Sequence, residues 1–275
     1  MPNVSLIIPV YNACAHIEAC LDSVIAQTLD DLEIILVDDH GTDDSMDRAR
    51  RKVAEYAGPK QFRFTATEAN GGPGAARNHG IRQATGEYVA FLDSDDQIDP
   101  SFCLALYEAA RLEDADLAFC HIVFDGPDGQ SVIRRNPGIR PGPFEGASKR
   151  RYLLRFTSYF TTYLYRRDML TDGCIVFPDT HSAEDSCFLI CCLLSARRIA
   201  CVDEALYRYT IHPASISQKR DPERWKNRIA SFRRMEAFAR EKGYYPPYRG
   251  VIRLLILKKG WLMALRDYLS NNLRK

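Results

Sequence analysis

Two periods of hydrophobic and polar positions alternate through the first hundred residues. Residues 4–10 form an apolar, β-branched run that closes on Tyr11-Asn12. Residues 14–28 then set Cys14, Ile17, Leu21, Val24 and Ile25 on one helical face. A second apolar run, 32–37, ends on Asp38-Asp39, and a charged helix over about 43–57 follows it, opened by cap-competent Thr42 or Asp43. Residues 62–66 suit a third strand. The glycine-rich stretch 70–74 leads into a helix over about 75–84, and a fourth strand, 88–92, ends on Asp93-Ser94-Asp95-Asp96.

Strands separated by single helices predict an α/β fold with a parallel sheet joined by crossovers. In such sheets ligands bind outside the carboxyl ends of the strands, which is where the carboxylates of this chain recur. The pattern loosens after about residue 125. Residues 125–147 are rich in Gly, Pro and Arg and suit a hairpin with a long loop, while 158–165 suit a strand. Residues 184–196 make an apolar helix, and 222–242 and 248–272 make two more, broken at Gly243-Tyr244-Tyr245-Pro246-Pro247.

Composition narrows the class without naming it. With 275 residues, 46% of them hydrophobic and 27% charged, the chain is globular, with no low-complexity run and no apolar stretch of membrane-spanning length. Its start has no basic region and no small-residue cleavage site. It suits a first strand better than a secretory signal, so a cytoplasmic protein is expected. The nine cysteines form no C-x-x-C pair and fall mostly in apolar runs, as small buried hydrophobes would in a reducing compartment. Zinc or a disulfide framework is the alternative. The net charge of +1 hides an asymmetry: residues 1–216 carry 21 Lys and Arg against 31 Asp and Glu, and residues 217–275 carry 16 against 5. That basic tail could pair with the acidic body, with anionic lipid or with nucleic acid.

The chemistry-bearing residues cluster at the strand ends. Three carboxylates within Asp93-Ser94-Asp95-Asp96 repel one another, and a divalent metal with hard oxygen ligands would relieve them; a solvated acidic turn is the plain alternative. Asp38-Asp39 is ordinary turn chemistry unless its strand end shares a pocket with the first cluster. The turn 70–78 opens a helix whose N-terminus can receive an anion, but it is neither a P-loop nor G-x-G-x-x-G. Arg77 opposes the dipole of that helix and so predicts a partner elsewhere. Glu184-Asp185, at a helix start, serves either as a cap or as a general base. His212 is a lone loop histidine, structural or ligating.

The order of these segments resembles glycosyltransferase family 2, inverting enzymes of the GT-A fold. Residues 4–12 resemble the family's S-[LIV]-I-[LIV]-P-[VT]-Y-N strand, and LVDDHGTDDS at 36–45 resembles V-D-D-G-S-x-D-x-S. Residues 70–80 match N-x-G-x-x-x-A-R-N-x-G with one extra residue, and 91–96 match F-L-D-[SA]-D-D, the D-x-D motif. Residues 184–188 match E-D-x-x-F, and 207–217 are similar to Y-R-x-H-x-x-S-x-S with one extra residue. His40-Gly41 departs from the usual Gly-Ser or Cys-Ser, and Ala183 stands where glycine is frequent.

The resemblance implies a Rossmann-like αβα sandwich with a mostly parallel sheet over 1–216, its nucleotide half about 1–97 and its acceptor half about 98–216, followed by a basic helical extension, 217–275. It implies a nucleotide-sugar donor, a UDP-sugar, with Pro9, Tyr11 and Asp39 lining the base pocket and Asp39 reading the uracil edge. Arg77 would lie near the base and phosphates, and Asp93 and Ser94 would face the ribose. Asp95, with Asp93 and His212, would hold Mn²⁺ or Mg²⁺, and Asp185 beside Glu184 would be the catalytic base. The acceptor would be a saccharide or a lipid-linked saccharide. The basic amphipathic helix 251–269 fits either packing on the body or contact with the inner membrane face; no nucleic-acid module accompanies it. Two other classes compete. A nucleotidyltransferase would need a glycine-rich basic first turn, where this chain has Tyr11-Asn12-Ala13-Cys14; a silent sugar-nucleotide binder would have lost Asp95 or Asp185, and both stand.

Overall fold

The computed structural model describes residues 2–180, 182–211 and 221–272. Strands β1 (Val4–Val10), β2 (Leu32–Asp38), β3 (Gln61–Ala66) and β4 (Tyr88–Phe91) are joined by helices α1 (Ile17–Ile25), α2 (Ser45–Ala54) and α3 (Gly72–Gln83). They pair in parallel in the order β3-β2-β1-β4, with Val4 of β1 opposite both Leu32 and Tyr88. Continuous burial of β1 and β4 explains why their sequences are apolar runs rather than alternating ones.

Past β4 the chain adds β5 (Gln97–Ile98), α4 (Phe102–Leu112), β6 (Leu117–Asp125), β7 (Ser131–Arg134), β8 (Gly142–Pro143), α5 (Gly146–Leu153), β9 (Tyr163–Arg166), α6 (Arg167–Asp172), α7 (Glu184–Ser195) and β10 (Arg198–Thr210). The sheet runs β3-β2-β1-β4-β9-β6-β10-β5. Strand β9 is antiparallel to both β4 and β6, and β6 is parallel to β10, so six strands on this path point one way while β9 and β5 oppose them. The sheet is mixed but mostly parallel. Strands β6 and β10, among the longest, were not foreseen by periodicity, and the expected strand at 158–165 is a 3₁₀ turn (Phe160–Thr162) leading into β9.

Two cores flank the sheet. One holds α1, α2 and α4 against one face; the other packs α3, α5 and α7 against the opposite face. The C-terminal helices α8 (Arg224–Glu241), α9 (Tyr245–Leu255) and α10 (Met263–Asn272), with a π-helical stretch between the last two (Ile256–Leu262), share that second core through Phe232, Met235, Ile252 and Leu255. Gly260 permits the close crossing: a Cβ there would stand 3.3 Å from the Phe232 ring. No described helix is long and apolar enough to cross a membrane. All nine cysteines are free, and six are buried, as small apolar side chains.

Candidate active site

The acidic strand ends meet on two sides of β1. The Asp39 N–H donates to the Val10 carbonyl and the Leu92 N–H to the Ile7 carbonyl, so both loops leave the sheet at one edge. They are separated by β1 rather than adjacent, about 10 Å apart at two strand spacings. Tyr11 is exposed between them, two residues after the buried Pro9. Asp39 is buried, and one of its oxygens accepts from the Thr67 hydroxyl (3.1 Å) and the Gly71 N–H (3.0 Å), tying β2 to the glycine-rich turn. In the divergent loop, His40 takes a left-handed φ of 58° and its ring bonds the Thr67 carbonyl at 2.7 Å.

Arg77 finds the partner that its place on α3 demands. Its Nη2 donates to Asp93 Oδ1 at 2.6 Å, and its guanidinium lies 4.6 Å from the centre of the Phe160 ring and 5.4 Å from that of Phe177. Burial works to lower its pKa, but Asp93, Glu184 and Asp185 outweigh that and hold the cation above its ordinary value. Its Nε is buried with no hydrogen-bond partner. This arginine therefore couples the strand-end carboxylates to the start of α7, two motifs about ninety residues apart in sequence. Gly74 faces the start of α7, where a Cβ would meet Glu184 Cγ at an ordinary contact distance of 3.7 Å.

Asp185 stands in the first turn of α7, where its Oδ1 accepts from the Ser186 N–H at 2.6 Å. Burial raises its pKa above the usual carboxylate range, while that N–H, Arg77 and Arg228 pull the other way. The residue before the pair, Ala183, has a φ of 62°. That left-handed geometry accounts for the glycine common at this position in the family the sequence resembles.

Asp96 is bonded to β10 rather than to the site. It is buried, accepts the Tyr207 hydroxyl at 2.7 Å and the Thr210 N–H at 3.0 Å, and so anchors the acidic turn to β10. Burial, with Asp93 and Asp95 beside it, pushes its pKa well up. The crowding of three carboxylates into one turn is what favours a cation there. Asp93 and Asp95 offer hard oxygen donors, and a divalent ion that also binds a diphosphate needs only one or two carboxylates. Among the described residues no three His, Cys, Asp or Glu side chains converge as a metal set. Ser94 is buried within the same turn, and His212 lies outside the described residues.

Three contributors were given no role by motif reading, although Asn78 stands within the A-R-N segment. Asn78 fixes the segment before α7 to α3, and the charges of Arg228 and Lys259, in the C-terminal helices, act electrostatically with Asp185. A signal existed for Lys259: it follows Leu255 by four residues and Ile252 by seven, on the apolar face of its helix. A separate cavity of about 610 Å³ lies at the opposite edge of the sheet, lined by residues such as Asp116, Lys149, Arg166 and Tyr248, and touches none of the carboxylates above.

The arrangement defines an α/β fold whose candidate site lies at the carboxyl edge of its sheet. Residues 5–173 match the model for glycosyl transferase family 2, and the chain belongs to that family. It is 30% identical over 280 aligned residues to EpsH of Bacillus subtilis (strain 168), assigned as a glycosyltransferase, covering all of this chain and 80% of EpsH. It is 31% identical over 217 residues to the poly(ribitol-phosphate) beta-N-acetylglucosaminyltransferase TarS of Staphylococcus aureus (strain MW2), covering 76% of this chain but only 35% of TarS. The structure of S. aureus TarS 1–349 in complex with UDP-GlcNAc aligns at a TM-score of 0.67 and 25% identity, over 98% of this chain and 81% of the other. A mannosyltransferase from Pyrobaculum calidifontis, in complex with GDP-Man and Mn²⁺, shares the fold at a TM-score of 0.64 and 19% identity, over 98% of this chain and 73% of that one.

Proposed function

We propose that this chain transfers a glycosyl group, with inversion, from a UDP-sugar to a hydroxyl of a saccharide or lipid-linked saccharide. The observation that carries the reading is the buried Arg77, which couples Asp93 at a strand end to the Glu184-Asp185 pair at a helix start. Donor and acceptor chemistry then face each other across one side chain.

Asp185 takes the proton of the attacking hydroxyl. Its raised pKa suits a base that must accept a proton near neutral pH. Arg77 holds Asp93 in place, and its positive charge lies where negative charge grows on the departing diphosphate. Tyr11 and Pro9 flank the base pocket, Asp39 reads the uracil edge, and Ser94 with Asp93 meets the ribose. Asp95 and Asp93 would hold Mn²⁺ or Mg²⁺, which supplies Lewis-acid neutralisation of the diphosphate. One base and no activated Ser or Cys nucleophile accord with a single displacement, which inverts the anomeric centre.

Residues 1–216 act as the catalytic domain in this reading, and 217–275 as an extension that borders its acceptor side. The enzyme works in the cytoplasm, with Leu257, Trp261, Leu262, Leu265 and Leu269 against the inner membrane face. These side chains are exposed together on one helical stripe, beside the exposed Lys258 and Arg266.

A panel of nucleotide sugars, assayed for nucleotide release with Mn²⁺ and with EDTA, tests the reading. UDP release from one donor, abolished by EDTA and by Asp95→Ala or Asp185→Ala, is the expected result. Asp93→Ala is the poorer probe, because stripping Arg77 of its partner costs stability toward about 3 kcal/mol. If neither UDP nor any UDP-sugar binds with metal present, the assignment of the base pocket fails.

A further inference from the structure

The C-terminal extension closes a cavity at the edge of the sheet opposite the carboxylates. Its volume of about 610 Å³ is in the range of small-molecule sites. One wall comes from the body, through Lys149 of α5, Met169 of α6 and Leu194 at the end of α7. The other comes from Phe238 of α8 and from Tyr244 and Tyr248 at the start of α9. The Arg150 guanidinium donates to the Pro247 carbonyl at 3.1 Å and fastens α9 to α5, so the two walls are joined. Strand β6, nine residues or about 30 Å long, separates Asp116 on this cavity from the carboxyl edge.

The lining carries four cations and four carboxylates, so it has no net charge to draw an ion. Its central charges are also answered within the protein. Asp116 Oδ2 accepts the Arg197 and Arg198 N–H groups at 2.6 and 3.1 Å, and Arg166 Nη2 donates to Asp114 at 2.6 Å. The buried Lys149 ammonium donates to the Leu194 and Ala196 carbonyls at 2.8 and 2.6 Å. Its Nζ then lies 5.2 Å from the centre of the Phe144 ring and 5.6 Å from that of Tyr248. An ammonium carries three N–H donors, and these carbonyls take two. Phe238 and Tyr244 add a second ring pair, with centres 6.2 Å apart. Aromatic faces set among fixed donors and acceptors suit a ring with apolar C–H faces and a rim of hydroxyls. A hydrocarbon would strand the polar groups, and a phosphate or carboxylate would meet as much repulsion as attraction.

We propose that this cavity binds an uncharged saccharide, as a second carbohydrate site remote from the active centre. Only the class of ligand rests on the glycosyl-transfer reading above, because the cavity shares no residue with the donor loops or with Glu184-Asp185. A glycan gripped here presents another part of its length to the carboxyl edge, so the site suits a long chain rather than a free monosaccharide.

Methionine methyl groups supply the readout. Met169 lines the cavity, Met46 lines a small pocket with Asn12 and Asp38 at the donor loops, and Met235 is buried in the core that α8 shares with the body. The full chain, labelled with ¹³C at its methionine methyls, is titrated with cellotetraose, maltotetraose and chitotetraose, and with tetragalacturonate as an anion of equal length. A neutral tetrasaccharide is expected to shift Met169 and leave Met46 in place. It should bind about tenfold weaker in Tyr248→Ala and in Tyr244→Ala, and unchanged in Tyr248→Phe, which keeps the ring. A Met235 resonance at its wild-type position certifies that each variant is folded. The proposal is overturned if no neutral tetrasaccharide moves Met169, if both alanine variants bind as tightly as wild type, or if tetragalacturonate binds more tightly. A shift of Met46 alone puts the saccharide at the active centre and overturns it as well. UDP with Mg²⁺ is added in a separate titration, where failure to move Met46 strikes at the donor reading and leaves the cavity untouched.

Discussion

Asn78 and Phe177 exchange a pair of hydrogen bonds: the side-chain amide donates to the Phe177 carbonyl at 2.9 Å and accepts the Phe177 N–H at 2.8 Å. This clasp holds the segment before α7 against α3, one residue from Arg77. Phe177 also stacks on Phe188 of α7, with ring centres 3.9 Å apart. Asn78→Ala leaves both backbone groups without their partner and is expected to cost about 2–3 kcal/mol in urea unfolding. An unchanged midpoint would show that the clasp contributes nothing.

Asp185 binds its proton more tightly in the folded chain than in the unfolded one, because burial raises its pKa. Such a carboxyl contributes stability below its unfolded pKa, roughly 3.9, and loses it as pH rises through the folded value. Asp185→Asn is therefore expected to raise Tm at neutral pH while abolishing turnover. The gain in Tm should shrink as pH falls toward the ordinary carboxylate range. A variant less stable than wild type at pH 7 would contradict the sign.

Ala183 pays for its left-handed backbone, a conformation costing roughly 1–2 kcal/mol in an L-residue with a Cβ. Ala183→Gly is expected to stabilise the chain by about 1 kcal/mol in denaturant unfolding, after the entropy lost by the glycine is set against that relief. Destabilisation would mean that the Ala183 methyl group packs more favourably than its backbone geometry suggests.

Trp261 and Leu265 are exposed, so replacing both with serine should leave Tm within a degree or so while removing apolar area from the exposed stripe proposed to meet the membrane. Sedimentation with phosphatidylglycerol-containing vesicles should then show about tenfold or more weaker binding. Equal binding by the variant would remove the membrane from the reading.

Local signals carried the sequence reading a long way, and its failures are physical. Arg77 betrayed a distant partner because the helix expected at 75–84 put this cation in its first turn; α3 begins at Gly72 and sets it one turn further in, yet Asp93 is the partner it finds. The four runs that became β1 to β4 were legible because each ends in a turn, and the first three are each followed by a helix. Strand β6 is equally apolar, yet its run at 117–125 follows the acidic 113–116 and leads into a hairpin rather than a helix. Strand β10 is obscured by irregular pairing between Cys201 and Tyr207, which breaks any simple period. Asp39 and Asp93 could be placed at one edge of the sheet, but not on opposite sides of β1, because strand order is not a local property. For the same reason the basic tail could be read as a charge balance but not as the source of Lys259, which lies 74 residues from Asp185 in the chain.

Strand β9 joins the two halves of the sheet while running against both of its neighbours, and it is made late. When the first ninety-one residues have left the ribosome, β3, β2, β1 and β4 can pair, but the outer edge of β4 stays open until residue 166 emerges. At ordinary rates of synthesis that interval is roughly 4–15 s. Only the shortness of β4, four residues, protects this nascent edge from pairing with another chain. A fragment cut near residue 100 would keep the donor-side loops but leave the β4 edge unpaired, and is expected to aggregate.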